Sequence, residues 1–231
     1  MRTLVMIPAF GCDGRLYRGI VSGLTDIVSP RTIIAGADSF KACVAQILAA
    51  APETFAVLGT SFGGRAAMEA ALAAPERVKG LIVIGSSAGP SPDLAAGLRR
   101  STRLRSGEME GVIAEMGEMV AHLPGPKGPA TRDAFIAMAR TQGAELMARQ
   151  SDALASRYDL RPRLDEIKCP ALMLWGVHDK FAPAREGLAL SMTIPAARYV
   201  EIAECGHFPP LEAPEETIEA IRHWLIESGL T

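Results

Sequence analysis

The chain has 231 residues, of which 48% are hydrophobic and 22% are charged, and its formal net charge is −2 at pH 7. This length suits one large domain or a domain with an inserted segment, and it allows a buried core without disulfides or a metal. The near balance of charges argues against a polybasic nucleic-acid-binding protein, and the hydrophobic fraction argues against a disordered chain. No apolar run approaches the roughly 18 residues that span a bilayer.

The N-terminal sequence and the cysteines predict a cytoplasmic location. Residues 1–8 (MRTLVMIP) contain an apolar stretch that is shorter than the core of a signal peptide, and no cleavage site follows it. The cysteines are widely spaced and form no Cys-x-x-Cys pair, so zinc-ribbon and thioredoxin-type sites are not expected. We therefore expect reduced thiols in a protein that binds neither nucleic acid nor membrane.

Six short apolar runs, each bounded by glycine, proline or polar residues, have the pattern of buried parallel strands. They are residues 4–7, 32–34, 55–58, 81–84, 172–175 and 199–202. Helical patterns lie between them, at 40–48 with Ser39 as a candidate N-cap, at 66–74, and at 216–226. Strands that alternate with helices predict an α/β fold with a mostly parallel sheet.

The alternation stops between about residues 89 and 165, where no strand is predicted. Apolar residues at helical spacing from Met109 to Leu123 indicate an amphipathic helix, a proline- and glycine-rich loop covers 123–129, and residues 135–154 indicate more helix. Half of the methionines lie in this segment, namely Met109, Met116, Met119, Met138 and Met147. They form either an adaptable apolar lid over a pocket or ordinary helix core.

A glycine–serine turn carries the strongest chemical signal. The sequence Gly59-Thr-Ser61-Phe-Gly63 follows an apolar strand and opens an alanine-rich helix. In that setting the pattern is typical of a nucleophile elbow, which lifts a serine hydroxyl above the sheet and has glycines where a side chain would collide with backbone. We predict Ser61 as a nucleophile, and the alternative is a glycine-rich turn with a capping serine.

A serine hydroxyl needs a base at neutral pH. The candidates are His122, His178, His207 and His223. His207 lies just past the last predicted strand and Asp179 follows the strand before it, so both occupy the sheet edge where reactive groups gather. We predict His207 as the base and Asp179 as the carboxylate that orients it, rather than a loop histidine and a turn-capping aspartate. His178 is the main alternative base, but an orienting bond between neighbours in the chain is awkward.

The order Ser, Asp, His on alternating strands and helices resembles the α/β-hydrolase superfamily, in particular its small bacterial serine hydrolases. The resemblance rests on residues 59–64, on Trp-Gly-Val-His-Asp-Lys-Phe-Ala-Pro at 175–183, and on the blocks Cys-Gly-His at 205–207 and Leu-Glu-Ala-Pro at 211–214. These blocks occur in the family's order. The resemblance covers nearly the whole chain and is weakest between residues 89 and 165.

The resemblance implies a sheet of about six strands flanked by helices, with a helical cap inserted after the fourth strand. Residues 1–88 and 166–231 would then form the core and residues 89–165 the cap. Family members often begin with two further antiparallel strands, and we expect this sheet to be trimmed because residue 1 lies almost at the strand that leads into the oxyanion loop.

The resemblance also implies which groups bind the substrate. The oxyanion loop reads Pro-Ala-Phe-Gly-Cys-Asp at residues 8–13, where many members have His-Gly. Aligned in this way, the backbone N–H groups of Phe10 and Phe62 would bind the oxyanion. Phe10, Phe62 and Phe208 are expected to contact the substrate.

Together these features predict a serine hydrolase that cleaves a small ester or related acyl substrate through an acyl-enzyme. No dinucleotide-binding or phosphate-loop motif occurs, so no cofactor and no metal are expected. The alternatives are a carbon–carbon bond hydrolase, a lyase or a perhydrolase on the same triad, and a low-turnover ligand receptor. The expected partner is a small-molecule substrate, and the chain is expected to be a monomer or a homodimer.

Other residues near these motifs have two possible roles each. Cys12 and Cys205 flank the predicted catalytic loops and either face the pocket or, as we favour, are small buried fillers. Arg65 could meet a substrate carboxylate, although a surface position in the first turn of a helix is expected. Residues 89–165 contain 11 basic and 10 acidic residues, so their net charge gives no indication of the sign of the substrate.

Overall fold

The computed structural model describes residues 2–231, which form a six-stranded parallel sheet flanked by helices. The strands are β1 (Arg2–Ile7), β2 (Val28–Thr32), β3 (Phe55–Thr60), β4 (Val78–Ile84), β5 (Ala171–Gly176) and β6 (Ala197–Ile202). Their order is β2-β1-β3-β4-β5-β6, and each neighbouring pair is parallel. All carboxyl ends therefore meet at one edge, where open α/β sheets bind ligands.

Helices connect the strands and cover the sheet. They are α1 (Arg18–Val21), α2 (Phe40–Ala50), α3 (Phe62–Ala73), α4 (Leu94–Arg105), α5 (Met109–Gly117), α6 (Gly128–Gln142), α7 (Ala144–Ala155), α8 (Ala184–Thr193), α9 (Pro209–Glu212) and α10 (Pro214–Glu227). Helix α3 packs on β3 and β4, and α8 and α10 pack on β5. Within residues 2–231, none of these helices is long and apolar enough to cross a membrane.

The predicted fold class is confirmed, and five of the six predicted strands coincide with observed ones. The prediction of a strand at residues 32–34 is wrong beyond Thr32, because the strand is Val28–Thr32. Its sequence contains Pro30 and charged or polar residues, so it lacks the apolar run that marks the others. Because β2 lies at the edge of the sheet, it tolerates a proline and an exposed outer face.

The helices that follow β4 explain two further differences from the sequence prediction. Helix α4 was not predicted because its buried side consists of small residues and Leu104 rather than an apolar stripe. It packs against α7 so closely that a Cβ on Gly97 would lie 2.7 Å from the Cβ of Ala155. The helix predicted to run to Leu123 ends at Gly117, and Val120 is buried from the turn that follows.

The methionines of this region divide between the two interpretations. Met138 and Met147 are fully buried in the core, and Met109 is partly buried against it. Met119 is exposed, whereas Met116 lines a cavity at the carboxyl edge of the sheet. Most of them therefore act as helix core, and only Met116 borders the space that the carboxyl ends of the strands enclose.

Candidate active site

Ser61 occupies the turn between β3 and α3 in a strained backbone conformation. Its φ is 55° and its ψ is −114°, and it is the only non-glycine residue with positive φ in the described part of the chain. The flanking glycines make this turn possible, since a Cβ on Gly59 would lie 2.0 Å from the carbonyl oxygen of Gly63. A Cβ on Gly63 would lie 1.9 Å from the carbonyl oxygen of Ile7. The backbone here has the sharp strand-to-helix turn that the glycine spacing predicts.

His207 and Asp179 are brought together although 28 residues separate them in the chain. Asp179 follows β5 and His207 follows β6, and His207 Nδ1 lies 2.7 Å from Asp179 Oδ2. Both side chains are buried. Because a carboxylate only accepts hydrogen bonds, Nδ1 carries the hydrogen and donates it, which leaves the lone pair on Nε2.

Asp179 is itself fixed by the backbone that follows it. Its Oδ1 accepts hydrogen bonds from the N–H groups of Phe181 and Ala182, at 2.8 and 2.9 Å. The Phe181 ring packs against the His207 ring with 5.0 Å between centroids. The carboxylate can therefore hold one orientation, and the imidazole is fixed by both a hydrogen bond and an aromatic contact.

Gly85 is a site residue that the sequence analysis did not identify. It follows β4 with φ of +56°, and a Cβ there would lie 2.8 Å from Asp179 Oδ2 and 3.1 Å from His207 Nδ1. The paired side chains therefore pack directly on a backbone that has no room for a side chain. A glycine directly after an apolar strand was the available signal, but glycines follow most of the predicted strands.

Glu212 is a second residue whose place the sequence analysis missed. Its buried carboxylate accepts the N–H groups on both sides of His207, from Gly206 at 2.9 Å and from Phe208 at 2.9 Å. It also accepts the N–H of His122 at 2.7 Å. Glu212 thus holds the His207 loop to the turn after α5. The Leu-Glu-Ala-Pro block marked this position, but nothing in it indicates three backbone donors.

The carboxyl ends of the strands open onto a cavity of about 260 Å³. Five residues that the sequence predicts as catalytic or substrate-binding line it, namely Phe10, Ser61, Phe62, His207 and Phe208. Asp179 lies behind His207 and does not reach the cavity wall. Phe62 is the first residue of α3, so its N–H lacks an intrahelical partner, and Phe10 lies in the loop after β1.

The loop that contains Phe10 is tied to the helices after β4. The N–H of Gly11 donates to the side-chain oxygen of Gln150 at 2.9 Å, and Gln150 Nε2 donates to the carbonyl of Ala35 at 2.8 Å. Nearby, the hydroxyl of Tyr17 donates to the carbonyl of Ile7 at 2.6 Å. These bonds fix the end of β1, so the backbone at Phe10 is positioned by buried partners on two elements.

Arg65 does not occupy the surface position that was expected for it. It is about 1% exposed, and its guanidinium donates to Glu69 at 2.7 Å and to the carbonyl oxygens of Ala88, Gly89 and Tyr158. The expectation is wrong because α3 is buried on nearly every side, between the sheet and the segment after β4. Arg65 connects these layers through protein acceptors.

Cys12 and Cys205 are fully buried and do not line the cavity. Loss of hydration on burial raises the pKa of both thiols, and the carboxylates nearest to each raise it further. The favoured interpretation, small buried side chains, therefore describes them better than pocket-facing thiols. Both remain protonated at neutral pH.

The remaining histidines lie outside the cavity. The rings of His122 and His178 stack with centroids 3.8 Å apart, and His122 Nε2 lies 3.8 Å from a carboxylate oxygen of Glu204. One ligand atom from each of these residues lies within 4.8 Å of the other two. This trio could hold a divalent cation, whereas His223 is an exposed partner of Glu227. His178 is thus placed away from Ser61's cavity.

Known proteins are similar to this chain in sequence. A 2-hydroxy-6-oxononadienedioate/2-hydroxy-6-oxononatrienedioate hydrolase from Paraburkholderia phymatum is 29% identical over 178 residues, which cover 69% of this chain and 58% of that protein. The match thus spans less than two thirds of that relative. A pimeloyl-(acyl-carrier protein) methyl ester esterase from Aeromonas hydrophila is 25% identical, with 96% of this chain and 94% of the relative covered.

The fold agrees with these matches. A solved structure of a thermophilic esterase from Thermogutta terrifontis has a TM-score of 0.89 and 24% identity, with 99% of this chain and 90% of that chain covered. The sequence model of the alpha/beta hydrolase family matches residues 5–220, which include every strand except the first residues of β1. The chain belongs to the alpha/beta hydrolase family.

Proposed function

We propose that the protein is a serine hydrolase that cleaves a small ester through an acyl-enzyme. Ser61 is the nucleophile, His207 the general base and Asp179 the carboxylate that orients it. The N–H groups of Phe10 and Phe62 form the oxyanion hole. Phe10, Phe62 and Phe208 contact the substrate.

One observation carries this proposal. A serine in a strained turn and a histidine with a bonded carboxylate line the same small cavity. Strained backbone is costly and is typically retained where function needs it. The turn places the serine hydroxyl at the start of α3, where helix N–H groups favour developing negative charge.

The residues suggest a complete proton path. His207 Nε2 takes the proton of Ser61 Oγ as that oxygen attacks the ester carbonyl, and Asp179 stabilises the resulting imidazolium. The tetrahedral oxyanion accepts from the Phe10 and Phe62 N–H groups, each worth roughly 3–4 kcal/mol of barrier by analogy with other oxyanion holes. His207 then protonates the leaving alcohol. It next activates a water that releases the acid and restores Ser61.

We further propose that residues 89–165 act as the cap of this site. Helices α4–α7 all lie in this segment, and its side chains supply one side of the cavity wall. Among them are Met116, Val120, Phe135 and Leu154. The remaining wall comes from α3 and from the loops that carry the proposed catalytic residues, so the cap would set substrate size and polarity.

Carbon–carbon bond hydrolysis on the same triad is the second candidate. It is favoured by the similarity to the dienedioate hydrolase from Paraburkholderia phymatum. Parallel assays with p-nitrophenyl esters and with a 2-hydroxy-6-oxodienoate separate the two. Turnover of the ester alone supports ester hydrolysis, and turnover of the dienoate alone supports carbon–carbon bond cleavage.

Replacement of the nucleophile tests the proposal. We expect Ser61→Ala to fold normally, to lose ester hydrolysis by about 10³-fold or more, and to lose labelling by a fluorophosphonate probe. Ser87→Ala is the matched control, since Ser87 also lines the cavity, and it should be labelled as the wild type is. Labelling of Ser61→Ala would contradict the assignment. An unlabelled wild type would favour a ligand receptor.

A further inference from the structure

The charged groups of the cavity wall are not all neutralised by protein partners. Apart from His207, the charged side chains that line the cavity are Arg65, Asp93, Arg100 and Arg157. Arg65 is paired with Glu69 at 2.7 Å, and Asp93 is paired with Arg99 at 3.4 Å. Neither Arg100 nor Arg157 has a carboxylate oxygen within 4.0 Å among residues 2–231. The wall therefore carries two positive charges without a paired negative one.

Arg100 is held with its guanidinium at the cavity. It lies on α4, its Nε donates to Ser151 Oγ at 2.9 Å, and its guanidinium carbon lies 5.2 Å from the centre of the Phe10 ring. No acceptor within the described chain receives a bond from its terminal nitrogens. The hydroxyl and the aromatic ring fix the side chain, so the two terminal NH₂ groups remain free to bind a ligand.

The guanidinium of Arg157 has fewer hydrogen-bond partners than that of Arg100. Its Nε is inaccessible to water and has no hydrogen-bond partner in residues 2–231. An unpaired buried donor costs about 1–3 kcal/mol, and more when it is charged. A ligand in the cavity would therefore meet the terminal nitrogens of Arg157, which are not enclosed as Nε is and also donate to no acceptor in residues 2–231.

The two arginines lie close enough to interact. Both line the same cavity, together with Gly97 of α4 and Ala155 of α7. Loss of hydration on burial lowers the pKa of both guanidinium groups, and at Arg157 the positive charges of Arg65 and Arg100 lower it further. Only Glu186 acts in the opposite direction at Arg157. An anion bound by both guanidinium groups would relieve this repulsion.

We propose that the substrate carries a carboxylate, which Arg100 and Arg157 bind within the cavity. This inference rests on the proposed hydrolase function and names its substrate class, a monoester of a short dicarboxylic acid. Guanidinium groups match a carboxylate with two parallel hydrogen bonds, and such charge-assisted bonds are about twice as strong as neutral ones.

The dimensions of the site favour a short chain. The cavity volume of about 260 Å³ lies just below the roughly 300–1,000 Å³ of pockets that take drug-sized ligands. Arg100 lies over the ring of Phe10, whose N–H is assigned to the oxyanion. The carboxylate and the reacting carbonyl would therefore be separated by only a few methylene groups, as in glutarate or adipate monoesters.

A binding measurement tests recognition of the substrate carboxylate separately from ester hydrolysis. Calorimetry on Ser61→Ala should show glutarate binding at least about tenfold more tightly than glutaramide, which has the same length and no charge. In the Ser61→Ala background, Arg157→Met and Arg100→Met should each weaken glutarate binding at least tenfold. Arg157→Lys, which keeps the charge and perturbs packing less, should lose less than Arg157→Met. The control Arg161→Met, at an exposed arginine outside the cavity, should change affinity less than twofold.

Turnover gives the second readout. In wild type we expect kcat/KM for monoethyl glutarate to exceed that for ethyl pentanoate by about tenfold or more, and the ratio should fall towards one in both arginine variants. Equal affinities for glutarate and glutaramide, or tighter binding of inorganic phosphate than of glutarate, would overturn the carboxylate site. Tight glutarate binding without hydrolysis of either ester would instead support the site and contradict the hydrolase. Hydrolysis of both esters at equal rates would contradict the site alone.

Discussion

Glu212 should be the residue on which the His207 loop most depends. Its carboxylate accepts three backbone N–H groups in a buried setting, at 2.7–2.9 Å. In Glu212→Ala all three donors lose their acceptor. At about 1 kcal/mol each, the lower bound for a buried unsatisfied donor, the variant should lose about 3 kcal/mol of stability. For a chain of this length that lowers Tm by about 6–12 °C.

The conservative variant Glu212→Gln should lose part of these hydrogen bonds. Glu212→Gln keeps one carbonyl oxygen, which can retain the two bonds that Oε2 receives, but its NH₂ group must then face the N–H of Phe208. We expect a loss between those of wild type and Glu212→Ala, and a fall in kcat with little change in KM. The assays are thermal unfolding by circular dichroism and steady-state kinetics well below Tm. Glu215→Gln, at an exposed glutamate paired with Lys127, should shift Tm by under about 1 °C. A Tm of Glu212→Ala within about 2 °C of wild type would refute the reasoning.

Three further predictions concern backbone space and thiol chemistry. Gly85→Ala should lower kcat/KM by tenfold or more because the new methyl group would lie 2.8 Å from Asp179 Oδ2. The control Gly229→Ala, at a glycine with a similar φ of +64° and nothing within 4 Å, should lower stability alone. Equal activity of the two variants would contradict this prediction. Activity should survive iodoacetamide at pH 8, because Cys12 and Cys205 are buried outside the cavity with raised pKa values. Burial raises the pKa of Cys43 to about 11. Because folding raises this pKa, the folded protein favours the protonated Cys43 thiol. The stability that this preference contributes is complete below about pH 8.5 and is lost as the pH rises through about 11. Cys43→Ala should therefore show a smaller drop in Tm between pH 9 and 11, and an unchanged drop would contradict the assignment.

Residues at the ends of apolar strands were predictable because the parallel sheet brings those ends to one edge. Ser61, Asp179 and His207 each follow such a strand, and they were identified from that position and from their chemistry. Edge strand β2 was placed incorrectly because an exposed strand does not need an apolar run. Helix α4 was missed for a related reason, since small residues rather than large apolar ones form its contact with α7.

Gly85 and Glu212 could not have been found in the same way. The importance of Gly85 lies in what a methyl group would collide with, and that is a property of the assembled site. Glu212 binds backbone N–H groups, which every residue possesses and which therefore leave no pattern in the side chains. Sequence reasoning therefore identifies candidate reactive groups more readily than the groups that hold them in place.

The net charge of residues 89–165 does not reveal where the individual charged side chains lie. In residues 89–165 the basic and acidic side chains nearly cancel, and most of the basic ones pair with carboxylates on the surface. Those pairs contribute little, because solvent screens them. Arg100 and Arg157 remain without such partners at the cavity, where low dielectric strengthens any charge interaction. The assigned catalytic groups lie on loops after the strands, whereas these arginines belong to the segment after β4. A change in that segment can therefore alter substrate charge preference while Ser61, His207 and Asp179 keep their geometry.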